Sequence, residues 1–144
     1  EQLAALEADP PTGARVRPLS VAGAFHTSYM EPAAAPLREL AASLAAQDPK
    51  CGVISNKDGA VLNSGREILD RIVDQIASPV RWDLCMQALA EAGVTGAVEV
   101  APAGTLVGLI KRAVPSIEQC VLKSPADIEA ARTFATAHSE ARGN

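Results

Sequence analysis

Apolar and polar positions alternate along the 144-residue chain in two periods, and the two periods divide it into helices and strands. Ile68, Leu69, Ile72, Val73 and Ile76 recur three and four residues apart, so Asn63-Ser64-Gly65 predicts the start of an amphipathic helix that Ser78-Pro79 stops. The same spacing predicts a helix over Trp82 to Ala92, closed by Gly93, and another over Thr105 to Ala113, with Lys111 and Arg112 in the last turn. Ser124-Pro125-Ala126-Asp127 opens a terminal helix to His138, after which SEARGN is expected to fray. Toward the start, Glu1 to Ala8 reads as a helix ended by Asp9-Pro10-Pro11, and Met30 to Gln47 as a helix that tolerates Pro32 in its first turn. Strand character falls on Arg15 to Val21, on Cys51 to Ser55, on Gly96 to Val100 and on Ser116 to Leu122. Pro18 suits an edge or a bulge, and Asn56-Lys57-Asp58-Gly59 is turn chemistry. Strands that alternate with helices predict an α/β fold with a parallel sheet covered by helices.

Composition narrows the function classes. With 48% hydrophobic and 21% charged residues, the chain can bury one core of single-domain size. A net charge of -4 and scattered basic residues argue against a nucleic-acid surface. No apolar run reaches the roughly 18 residues that cross a bilayer, and EQLAALEADPPTG lacks a signal-peptide pattern, so the sequence reads as cytoplasmic with no membrane partner. The cysteines, Cys51, Cys85 and Cys120, show no metal or redox spacing and are expected to be small buried hydrophobes. With aromatics at 3%, the core is expected to rest on Ala, Val, Leu and Ile.

Candidate chemistry concentrates at VAGAFHTSYM. His26 follows the first strand among small residues that leave room for a ligand, and imidazole suits general base work; a structural histidine is the alternative reading. His138 lies on the terminal helix, with no chemistry assigned. A base needs a nucleophile, yet the chain holds no GxSxG elbow and no cysteine in an activating setting. HExxH, Walker A and GxGxxG are absent as well, and neither a metal nor a cofactor is called for. From these residues alone His26 is a base without a partner.

The blocks GAFHTSYMEPA, SNKDG, DQIASPVRW and VEVAPAGTLVGLIKR, in this order and at these distances, resemble the C-terminal portion of bacterial malonyl-CoA:acyl-carrier-protein transacylases, and KSPAD at Lys123 to Asp127 with the alanine-rich composition is similar to the actinobacterial members. The resemblance implies an α/β-hydrolase-like acyltransferase core over residues 21–138, preceded over residues 1–20 by the tail of a ferredoxin-like subdomain and followed by the tail 139–144. It implies ping-pong transfer of malonyl from CoA, through a seryl ester, to the phosphopantetheine thiol of acyl carrier protein. His26 stands where the family's histidine base stands, and Gln75 where a backbone carbonyl orients it; on the residues alone, Gln75 also reads as a polar residue on an exposed helix face. Phe25 stands where phenylalanine accompanies malonyl selection, although it also reads as core filling beneath the loop. Arg81 is expected at the surface, since the family's carboxylate-binding arginine lies upstream, as do its serine elbow and oxyanion donors. The expected partners are malonyl-CoA, acyl carrier protein and a missing N-terminal half. Ala101 and Ala103 replace glycines that many members carry. Two rival readings are a non-catalytic module binding a carrier protein or subunit, to which Lys111, Arg112 and Lys123 offer a modest basic patch, and a piece of a polyketide-synthase acyltransferase domain.

Overall fold

The computed structural model describes residues 2–18 and 21–140. Among these residues are six α-helices and four short strands: α1 (Gln2–Ala8), α2 (Glu31–Ser43), β1 (Val53–Ile54), β2 (Val61–Leu62), α3 (Gly65–Gln75), α4 (Trp82–Glu91), β3 (Gly96–Val100), α5 (Leu106–Ala113), β4 (Glu118–Leu122) and α6 (Ile128–Glu140). Single 3-10 turns lead into α2 at Ser28–Met30 and into α6 at Pro125–Asp127.

Local chemistry accounts for most of the boundaries. Ser64 caps α3, its hydroxyl accepting the Glu67 N–H, and the Asp48 carboxylate accepts the Gly65 N–H at 2.8 Å. Gly65 itself sits against the chain before it: an added Cβ would lie 2.0 Å from the Gln47 carbonyl oxygen. Ser124 and Asp127 close a reciprocal capping box at the foot of α6. The Glu99 carboxylate accepts the N–H groups of Gly104, Leu106 and Val107 at 3.0 Å, so β3 supplies the cap that α5 lacks in its own sequence.

Most helices follow the sequence pattern, but α2 ends at Ser43, short of the expected Gln47, where Leu44 turns to extended backbone; β3 and β4 lie where strands are expected, and the first two strands depart. β1 and β2 pair antiparallel, Val53 with Leu62 and Ile54 with Val61, because the Asn56–Gly59 turn sends the chain straight back, whereas a parallel neighbour needs a crossover of about a dozen residues. β3 and β4 are parallel, joined through α5, and form a separate two-stranded sheet. Residues 15–18 of the expected first strand are irregular, with no neighbouring strand among the described residues to pair with and with Pro18 lacking a donor; Leu19 and Ser20 lie outside the described residues. α6 runs past His138 to Glu140, so the expected fraying does not begin at Ser139; residues 141–144 lie outside the description.

α2 packs on α3, with the small Ala34 and Ala41 buried on the α2 side. Arg38 pairs with Asp74 at 2.7 Å, and Arg66 donates to the Ala41 carbonyl at 3.0 Å, tying the two helices at both ends of the contact. The buried apolar set is Ala34, Ala41, Leu62, Val73, Cys85, Ile110 and Ile117, which is small for a chain of this length. Large apolar side chains stay exposed, among them Val21, Phe25, Tyr29, Ile72, Val98 and Val100. The cysteines split: Cys85 is buried, Cys120 half-buried and Cys51 exposed, so burial of all three does not hold. Cys51 precedes β1, where the chain has only a two-residue ladder to lie against.

Candidate active site

Two elements brought together from a distance in the sequence build the site. His26 comes from the loop before α2, and its partners are Gln75, the last residue of α3, and Ile76 just beyond it. The imidazole Nδ1 lies 2.8 Å from the Gln75 carbonyl oxygen, and the His26 backbone N–H donates to the Ile76 carbonyl at 2.8 Å. A carbonyl oxygen only accepts, so Nδ1 carries the proton and Nε2 of the neutral ring keeps its lone pair. Among the described residues His26 is the one non-glycine with positive φ, at 65°. Histidine tolerates the left-handed region better than most side chains, yet the conformation is sparsely populated and needs external bonds to hold it. The Gln75 and Ile76 carbonyls, at the end of α3, supply them.

Why those carbonyls are available is written in DQIASP. In a continuing helix the Gln75 carbonyl would accept from residue 79, but that residue is Pro79, which has no N–H. Residue 78, preceding a proline, is disfavoured in the helical region, so the chain leaves the helix there. The Gln75 carbonyl is left with the Ser78 N–H at 3.3 Å and the imidazole at 2.8 Å.

A cleft of about 430 Å³ opens beside His26. Phe25 and His26 line one part; Ile68, Arg71, Ile72, Gln75 and Ile76 of α3 and its C-terminal turn line another; Ser55 and Asn56 of the hairpin complete it. Exposure of Phe25 at 50% and of Ile72 at 56% follows from this position, since both face the cleft instead of packed core. Phe25 therefore does not serve as core filling. Gln75 is not on an exposed face either: it is 6% exposed.

Ser55, Asn56 and Arg71 belong to the cleft, although the sequence singled out none of them. Their signal was present, because SNKDG is one of the blocks of the resemblance, but read locally it is a turn. Arg71 is committed, bonding Asp58 at 2.7 and 2.8 Å and Glu67 at 3.0 Å. The Asp58 carboxyl is held below its ordinary range by the Ala60 N–H, then by Arg71. Ser55 hydrogen-bonds the Lys57 N–H at 3.3 Å and, at 7% exposure, is not set up as a nucleophile. Arg81 is exposed and pairs with Asp83 through Nε and Nη2 at 3.0 and 2.7 Å, away from the cleft lining, as its sequence position suggested. Burial pushes the Cys85 thiol up, and its Sγ donates to the Ser55 carbonyl at 3.4 Å, an inert setting beneath the hairpin. No group of three or more His, Cys, Asp or Glu side chains able to hold a metal occurs among the described residues, and no helix among them is long and apolar enough to cross a membrane.

Comparison with known proteins places these observations in a family. No family model matches the chain. The malonyl CoA-acyl carrier protein transacylase of Mycobacterium tuberculosis is 47% identical over 124 residues, which are 86% of this chain and 41% of that protein. The crystal structure of MCAT from the same organism superposes with a TM-score of 0.80 at 46% identity, covering 89% of this chain and 42% of that one. A malonyl-transacylase solved in complex with its type II PKS acyl-carrier protein gives a TM-score of 0.76 at 29% identity, covering 90% of this chain and 41% of that one. The chain thus spans less than half the length of the relatives it matches, and the match falls on their C-terminal part. In sequence and in fold, over the stretch it spans, this chain belongs with the malonyl CoA-acyl carrier protein transacylases.

Proposed function

We propose that the chain supplies the base-bearing part of a malonyl-CoA:acyl-carrier-protein transacylase, with His26 as general base and the nucleophilic serine on a complementary N-terminal part. The hydrogen bond from His26 Nδ1–H to the Gln75 carbonyl carries this reading, because it leaves Nε2 as a proton acceptor beside an open cleft. The identity to the transacylases supports the reaction class.

The chemistry follows from that geometry. Nε2 takes the serine hydroxyl proton as the oxygen attacks the malonyl thioester; the tetrahedral intermediate collapses, and CoA leaves as its thiol with that proton. In the second half the carrier's phosphopantetheine thiol gives its proton to Nε2 and attacks the ester, and the serine recovers the proton. Each half passes through an imidazolium whose Nδ1–H stays on the Gln75 carbonyl at the end of α3. A backbone carbonyl thereby takes the place of the acidic third residue of a Ser-His-Asp triad.

Residues 21–138 then form part of an α/β-hydrolase-like core in a cytoplasmic enzyme, residues 1–20 the end of a ferredoxin-like subdomain, and acyl carrier protein is the second substrate. The exposed apolar residues Val21, Val98 and Val100 fit a surface that the complementary part covers. Phe25, at the mouth of the cleft beside the base, narrows the space next to the malonyl α-carbon. Phe25→Ser is expected to erode the preference for malonyl- over methylmalonyl-CoA by about 10- to 200-fold in kcat/KM.

The test is to combine this chain with the N-terminal part of the M. tuberculosis relative and to follow malonyl transfer to carrier protein. Transfer that needs both parts and is lost with His26→Ala is expected. Transfer indifferent to His26→Ala would leave only the non-catalytic module.

A further inference from the structure

We infer that the side chain of Gln75, not only its carbonyl, is a positioning residue for His26, an assignment that rests on the reading of His26 as the base. The amide Nε2 donates to the Ser78 carbonyl at 3.0 Å and to the Pro79 carbonyl at 2.8 Å. Both neighbours are acceptors, so the nitrogen faces them; the opposite amide orientation would set three oxygens together. One residue therefore holds the imidazole with its main chain and the departing chain with its side chain.

The backbone alone does not fix this turn. The closing bonds of α3, Ile76 N–H to Val73, Ala77 N–H to Asp74 and Ser78 N–H to Gln75, measure 3.4, 3.3 and 3.3 Å, long for backbone hydrogen bonds. The contacts made by side chains are shorter: the two from Gln75, and Ser78 Oγ to the Asp74 carbonyl at 2.9 Å. Pro79 prevents the helix from continuing, and the Gln75 amide replaces the missing ladder with a clamp. The Gln75 and Ile76 carbonyls, which hold the ring and the backbone of His26, are thereby set in direction.

The amide is buried, and among the described residues it is engaged through its donor end. Gln75 is 6% exposed, and its Oε1 is buried without a hydrogen-bond partner among the described residues. Such an acceptor costs stability that an apolar side chain of the same size avoids.

The experiment uses the full chain carrying Gln75→Met, which keeps volume and backbone and removes the donors, with long-range 15N NMR of the His26 imidazole. The parent is expected to show the Nδ1–H tautomer in large excess, and the variant a severalfold rise in the Nε2–H tautomer. With the complementary part present, kcat for transfer falls severalfold while KM for malonyl-CoA holds. A folded variant with the parent's tautomer ratio overturns the inference. Should Gln75→Met not fold, the parent decides: its Gln75 side-chain amide protons are expected to exchange far more slowly than those of the exposed Gln87, and equal exchange overturns the clamp. Failure of the base reading is separate, because it shows in His26→Ala transfer and not in the tautomer ratio.

Discussion

The chain holds two histidines, and their surroundings differ in the one respect that matters for acid–base work. His138 on α6 has both ring nitrogens facing partners: Thr95 Oγ1 lies 2.9 Å from Nδ1 and the Glu118 carboxylate 3.5 Å from Nε2. Its ring packs at a tilt against Phe134, at a centroid distance of 4.3 Å, and fills the space over Gly96, where an added Cβ would come within 2.6 Å of the imidazole. That ring pins α6 to the β3–β4 sheet. His26 has one nitrogen fixed and the other left beside a cleft. The same side chain is a fastener in one region and, in the proposed mechanism, the proton carrier in the other. The number of partners each ring has, more than its burial, separates the two.

The sharpest break between the regions is a paired substitution. In the assembled enzyme, His26→Ala is expected to lower kcat about 10²- to 10⁴-fold with little change in thermal midpoint. His138→Ala is expected to lower the midpoint and leave transfer intact, as melting curves and a transfer assay read side by side will show. Next in size is Gly96→Ala, which drives a methyl into the His138 ring and is expected to destabilise by about 1–3 kcal/mol in denaturant unfolding. Adding His138→Ala to it removes the clash, so the pair is expected to be non-additive.

Acid unfolding sharpens the contrast in the β3–α5 region. The N–H groups of Val107, Leu106 and Gly104 hold the Glu99 carboxyl below its ordinary 4.5. A carboxyl lowered in the folded state contributes stability that is full above 4.5 and is lost as pH falls through the lowered folded value. Glu99→Gln is expected to be less stable than the parent at neutral pH and to lose less between neutral pH and acid. The smallest effect is expected of Arg81→Ala, within about 0.5 kcal/mol and without loss of transfer, since an exposed pair with Asp83 is screened.

The elements legible in the sequence were those whose signals are local. Ser64 before the Ile68–Val73 stripe, Gly93 after α4 and the SPAD box each mark a boundary through bonds made within a few residues. Strand pairing is not local: nothing within CGVIS says that its neighbour is Val61–Leu62, and a run with strand character at Arg15 found no ladder to join. Isolated, His26 carried little information; set beside the Gln75-to-Trp82 block it gained a partner 49 residues away that only the fold brings to 2.8 Å. The clamp made by the Gln75 amide, and the cleft positions of Ser55, Asn56 and Arg71, depend on how α3 ends against the hairpin, which no periodicity encodes. Ile72 illustrates the limit well, as a member of the apolar stripe that faces the cleft.

The most direct test of the central claim is the formation of the malonyl ester, followed by intact mass during the first turnover. The assembled enzyme carrying His26→Ala is mixed with malonyl-CoA, with and without free imidazole. The account predicts no burst of ester without imidazole and partial recovery with it, because a proton acceptor is what the variant lacks. A burst equal to the parent's in the absence of imidazole would contradict it.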